Sequence, residues 1–101
     1  MTSYQKGMDA YDRGDYDTAL KELRPLAEQG YPLAQATLGL MYAEGQGVPK
    51  DYVLAHMWMN LAAAKGVQEA VKGRDLLEKN MTPAQIGRAQ RLAREWTPKG
   101  K

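Results

Sequence analysis

His56, Met57, Trp58 and Met59 stand side by side in this chain. Imidazole and thioether beside a tryptophan are ligand types for a soft metal such as Cu(I). Successive helix positions are rotated by about 100°, so His56, Met57 and Met59 cannot converge on one ion from one helix. The assignment that fits helical geometry puts Trp58 and Met59 in a core and His56 at the surface or in packing. Asp9, Asp12, Asp15 and Asp17 form an acidic cluster. It lacks the glycine and the closing glutamate of an EF-hand loop, so Asp15 reads as a helix cap and the others as a solvated face. Ser3 is the only serine and has neither an elbow motif nor a partner base. Gly45-Gln46-Gly47 follows no strand and precedes no Gly-Lys-Ser/Thr, so it is a turn and not a phosphate loop. Arg88, Arg91, Arg94 and Lys99 read as an exposed stripe, because nucleic-acid readers carry more charge and a recognisable module. No nucleophile, base or metal set converges. The expectation is a chain with no enzymatic activity, metal or cofactor.

These residues must be positioned by elements drawn from 101 residues, the size of one domain. There is no cysteine, hence no disulfide framework and no thiolate site. Phenylalanine is also absent, so Leu, Met, Tyr and two tryptophans must fill the core. The net charge of +2 does not argue for nucleic acid. Its distribution is uneven: residues 1–65 carry six Lys/Arg against eight Asp/Glu, and residues 66–101 carry eight against four. No apolar run approaches the ~20 residues of a membrane span. Residues 1–6 contain no hydrophobic stretch, so a complete chain would be cytoplasmic, and one that had lost a leader would be periplasmic.

An internal repeat organises the chain. Asp15-Tyr16-Asp17-Thr18-Ala19 matches Asp51-Tyr52-Val53-Leu54-Ala55 at an offset of thirty-six, as do Gly30 with Gly66 and Ala34 with Ala70. Tyr11 and Gly14 match Tyr42 and Gly45 at thirty-one, so the loop at 45–50 holds a five-residue insertion. A period of this length marks one supersecondary unit stacked on copies of itself. Turn punctuation divides the rest into six helices in three antiparallel pairs, near 3–13, 15–29, 32–44, 50–65, 68–79 and 83–96. Pro25 should kink or restart the second helix. Thr82-Pro83-Ala84-Gln85 is a capping box. The first helix shows no convincing cap, and the end of the chain should fray.

Leu38-Gly39-Leu40-Met41-Tyr42, Gly45-Gln46-Gly47-Val48, Asp51-Tyr52, Ala55, Trp58, Ala62-Ala63 and Gly66 together resemble a complete Sel1-like repeat, a relative of the tetratricopeptide repeats, over residues 31–66. Residues 4–30 resemble a degenerate repeat and residues 67–97 a terminal capping pair. One repeat domain thus spans 1–97, with a tail at 98–101. The resemblance implies an all-α, right-handed solenoid in which Gly39, Tyr42, Ala55, Trp58, Ala62 and Gly66 serve repeat packing. It also implies a scaffold for assembling other proteins, often in bacterial signalling, envelope or stress-related complexes, without shared catalysis.

In such arrays the first helix of each pair lines a concave face. By the repeat offset, that face carries Thr2, Gln5, Asp9 and Asp12, then Leu33, Ala36, Leu40 and Ala43, then Glu69, Lys72, Leu76 and Lys79. The expected groove is acidic at one end, apolar in the middle and basic at the other. It suits a peptide of the opposite charge order from another protein. Nucleic acid and membrane insertion are not expected. The alternative is a self-associating structural or envelope component, with Leu33 and Leu40 buried against a second copy.

Overall fold

A computed structural model describes residues 1–99 of the chain. It is all-helical: α1 (Ser3–Asp12), α2 (Tyr16–Glu28), α3 (Pro32–Glu44), α4 (Tyr52–Ala64), α5 (Gln68–Glu78) and α6 (Pro83–Glu95). Side-chain caps set four of the six starts, those of α1, α2, α4 and α6. The carboxylates of Asp15 and Asp51 accept from the backbone N–H of Thr18 and Leu54, so the repeat offset aligns one cap with another. Thr82 and Gln85 form the reciprocal capping box expected for α6. Thr2 and Gln5 form the same box at α1, which corrects the reading of an uncapped first helix. Asp51→Ala should cost about 1 kcal/mol through the orphaned N–H, readable as a lower urea midpoint with unchanged slope. A shift no larger than that of an exposed Asp17→Ala control would show that the cap contributes nothing.

Pro25 does not restart α2. The helix runs through it to Glu28, with Pro25 exposed. The insertion at 45–50 folds back on the first pair. The Gln46 side-chain amide donates to the Tyr16 hydroxyl at 3.0 Å, and Asp51 N–H donates to the Tyr42 carbonyl at 2.9 Å. Gly47 has φ +76°, and a Cβ there would come within 3.1 Å of the Tyr16 backbone carbonyl oxygen. The loop therefore demands glycine both for conformation and for close approach.

Packing is sequential from α1 to α5, each helix against the next, with α4 at the centre. Ala10, Ala19, Leu23, Ala27, Ala34, Leu38 and Met41 join Met57 and Trp58 in one buried cluster, and Ala55, Met59, Ala62, Ala70, Leu77 and Ala89 form a second. α4 touches α3, α5 and α6, which is why residues 55–59 are buried in unbroken succession.

The third pair departs from the expected hairpin: α6 leaves α5 and packs on α4. Trp96, at the end of α6, meets Trp58 edge-to-face with centroids 6.1 Å apart. Beyond it, the stretch expected to fray is docked. Lys99 N–H donates to the Glu28 carbonyl at 2.7 Å, and its ammonium pairs with the Glu28 carboxylate at 3.4 Å. Residues 100 and 101 of the expected tail lie outside the described residues.

Candidate functional site: the open face of α1, α3 and α5

The helical periodicity of α3 puts Leu33, Ala36, Leu40 and Ala43 on one side. Leu33 is 53% and Leu40 41% exposed, while Ala36 and Ala43 are half-buried. Two depressions flank this stripe. One, of about 230 Å³, opens between α3 and α5, and Leu40, Ala43 and Leu76 share its lining with Glu44, Tyr52, Met59, Gly73, Leu77 and Asn80. The other, of about 290 Å³, is formed by Leu33 and Ala34 of α3 with Tyr4, Tyr31 and Pro32. Gln5, Asp9, Asp12, Glu69, Lys72 and Lys79 are exposed and line neither depression. Tyr4, Tyr52 and Met59 escape a reading by offset along the first helices. Tyr52 and Met59 belong to the second helix of their pair and line the depression from beneath.

Of the residues assigned to repeat packing, Gly39, Ala55, Ala62 and Trp58 are buried and Tyr42 is half-buried, its hydroxyl accepting from Arg24 Nη2 at 3.2 Å. At Gly66 a Cβ would have no neighbour within 4 Å, and its φ of +93° and N–H donating to the Ala63 carbonyl show a turn residue ending α4. Gln35, Thr37 and His56 are buried polar side chains. Gln35 Nε2 donates to the Ala27 carbonyl at 3.1 Å and ties α3 to α2. His56, expected at the surface or in packing, is 1% exposed, and its Nε2 lies 2.8 Å from the Glu78 carboxylate. That bond ties α4 to α5, and Nδ1 has no partner among the described residues. No cluster of three or more His, Cys, Asp or Glu side chains with metal-binding geometry occurs among the described residues. The Tyr11 phenol is pushed above its ordinary 10.0, first by burial and then by Glu44, Tyr16 and Asp12, so it stays neutral near pH 7.

Two helix pairs, α1–α2 and α3–α4, stacked in chain order and extended by α5 and α6 on α4, give a helical repeat fold. Residues 32–67, which span α3, the inserted loop and α4, match the Sel1 repeat family model. No curated protein matches the chain. Sel1 repeats mediate protein–protein interaction and are typically non-enzymatic. Among the described residues, no helix is long and apolar enough to cross a membrane.

Proposed function

We propose that this chain is a non-enzymatic scaffold that receives a segment of another protein along α1, α3 and α5. The supporting observation is the exposure of Leu33, Leu40 and Leu76, at 53%, 41% and 61%, beside two shallow depressions. Side chains this apolar gain by burial, about 25 cal/mol per Å² removed from water, and nothing within the described fold covers them. The flanking charge gives direction: Asp9 and Asp12 are exposed on α1, and Lys72 and Lys79 on α5. Electrostatic complementarity then selects among partners and sets their orientation more than it adds affinity.

Leu40→Glu tests this reading, because a side chain already 41% exposed can change with an effect on stability within about 0.5 kcal/mol. The variant should unfold with the wild type and lose the partner that wild type captures from native lysate. Retention of that partner by a folded Leu40→Glu protein would sink the groove. Capture of the chain's own copies alone would replace the scaffold with a self-associating component.

A further inference from the structure

The stretch that follows α6 lies on the molecule like a bound peptide. Trp96 is the C-cap of α6 with φ −71° and ψ 137°, so the chain leaves the helix extended. Pro98 favours extended backbone at Thr97 as well. The strap of Trp96, Thr97, Pro98 and Lys99 rests on the turn joining α2 to α3, and its seat has three parts. The first is the buried Trp58 ring, which meets Trp96 edge-to-face at 6.1 Å between centroids. The second is Gly30. A Cβ built there would lie 3.7 Å from Trp96 Cη2 and 4.0 Å from Pro98 Cγ, so both strap rings lie against bare backbone. The Lys65 ammonium donates to the Gly30 carbonyl at 3.1 Å and pins that turn. The third is Glu28, which offers two acceptors. In the last turn of α2, the carbonyls of Pro25, Leu26 and Ala27 accept from the N–H groups of Gln29, Gly30 and Tyr31. The Glu28 carbonyl is the remaining orphan of that helix end, and among the described residues it accepts only from Lys99 N–H, at 2.7 Å. The ammonium of the same lysine pairs with the Glu28 carboxylate at 3.4 Å. A cation here also complements the negative end of α2. Thr97 is exposed and adds no hydrogen bond among the described residues.

We propose that Trp58, Gly30 and Glu28 form a peptide-binding seat, filled in this structure by the chain's own strap. The seat takes a segment of a partner protein that carries an aromatic residue, any residue, proline and lysine in that order. The occupant in place defines this chemistry: a ring for Trp58 and Gly30, a proline that holds the backbone extended, and a lysine for both acceptors of Glu28. A partner segment of the same pattern replaces each contact in kind. The strap's advantage over it is tethering, which acts as a high effective concentration, and a partner with further contacts on either side overcomes that advantage. Leu33, Leu40 and Leu76 have no part in this seat, so it stands or falls apart from the groove.

The test is a nuclear magnetic resonance titration of the isotope-labelled full chain with the capped peptide Glu-Trp-Thr-Pro-Lys. Wild type is compared with Trp96→Ala/Lys99→Glu, which vacates the seat and whose fold is verified by circular dichroism. The amide signals of Gln29, Gly30 and Tyr31 should move on binding. The vacated chain should bind about tenfold tighter than wild type, because the strap competes only in wild type. A peptide with alanine for tryptophan should bind about tenfold more weakly, or worse. When Glu28→Lys is added to the vacated chain, a peptide with glutamate for lysine should be preferred to the original. Absence of shifts at these amides overturns the proposal, as does equal affinity of wild type and vacated chain. So does equal binding of the alanine peptide, or a preference that Glu28→Lys leaves unmoved. If the vacated chain fails to fold, Lys99→Glu alone releases Glu28 and must bind the original peptide more tightly than wild type does. Equal binding there overturns the proposal too.

Discussion

Trp58→Ala is expected to cost about 3–5 kcal/mol, the largest effect of any single truncation considered. Trp58 is 7% exposed and sits among Ala34, Leu38 and Met57 while meeting Trp96 edge-to-face. Truncation removes the transfer energy of an indole and leaves a cavity at a place where three helices meet and cannot collapse independently. An edge-to-face pair adds about 0.5–1.5 kcal/mol beyond burial. Against a total of about 5–15 kcal/mol for a domain, the loss would bring the chain close to unfolding at moderate urea. Trp96 is only half-buried, so Trp96→Ala should cost less. The double variant should be less destabilised than the sum of the singles, because the ring–ring contact is lost only once. A loss below about 1 kcal/mol for Trp58→Ala would mean that the packing of α4 against α6 is not the one described.

Gly39→Ala and Gly87→Ala make the same chemical change inside helices and should act with opposite sign. At Gly39, an added Cβ would come within 2.7 Å of Met59 Cγ and 3.2 Å of the Ala55 carbonyl oxygen. The methyl therefore separates α3 from α4 or forces Met59 out of its place, at about 1–3 kcal/mol. At Gly87 in α6, nothing lies within 4 Å, and alanine should gain about 0.5–1 kcal/mol by restricting the unfolded chain. Urea midpoints of the two variants, moving apart from that of the wild type, check this. Equal shifts of one sign would show that backbone propensity, and not helix contact, governs Gly39.

The helix starts and turns were legible in the sequence because they depend on local chemistry. Asp15 and Asp51 cap, Gly45 and Gly47 turn, and Pro83 starts a helix wherever the rest of the chain lies. The box at Thr2 and Gln5 was equally local and was missed for want of a flanking proline. What failed depends on distance. Nothing near His56 announces Glu78, twenty-two residues on, so a histidine read as surface or packing gave no sign of the carboxylate it meets. The packing of α6 on α4 follows from matched faces, Ala89 and Trp96 finding α4, which no periodicity within either helix encodes. The candidate face was half legible: offsets placed Leu40 and Leu76 on first helices. Their common depression needs Met59 and Tyr52 from below, which only the stacking brings up.

The docking of Lys99 on Glu28 changes how the molecule should come apart. An array of repeats with nearest-neighbour contacts can lose its end units one at a time, like a zipper. Here a hydrogen bond spanning seventy-one residues, Lys99 to Glu28, returns the stretch after α6 to the first pair and makes the array closer to a loop. A long-range closure of this kind raises contact order and slows folding relative to a local helical bundle. It also ties the stretch after α6 to α2, so α6 should not detach before the first pair. Unfolding should therefore be all-or-none, with tryptophan fluorescence and helical circular dichroism falling together in urea. The open face would then be presented whole or not at all.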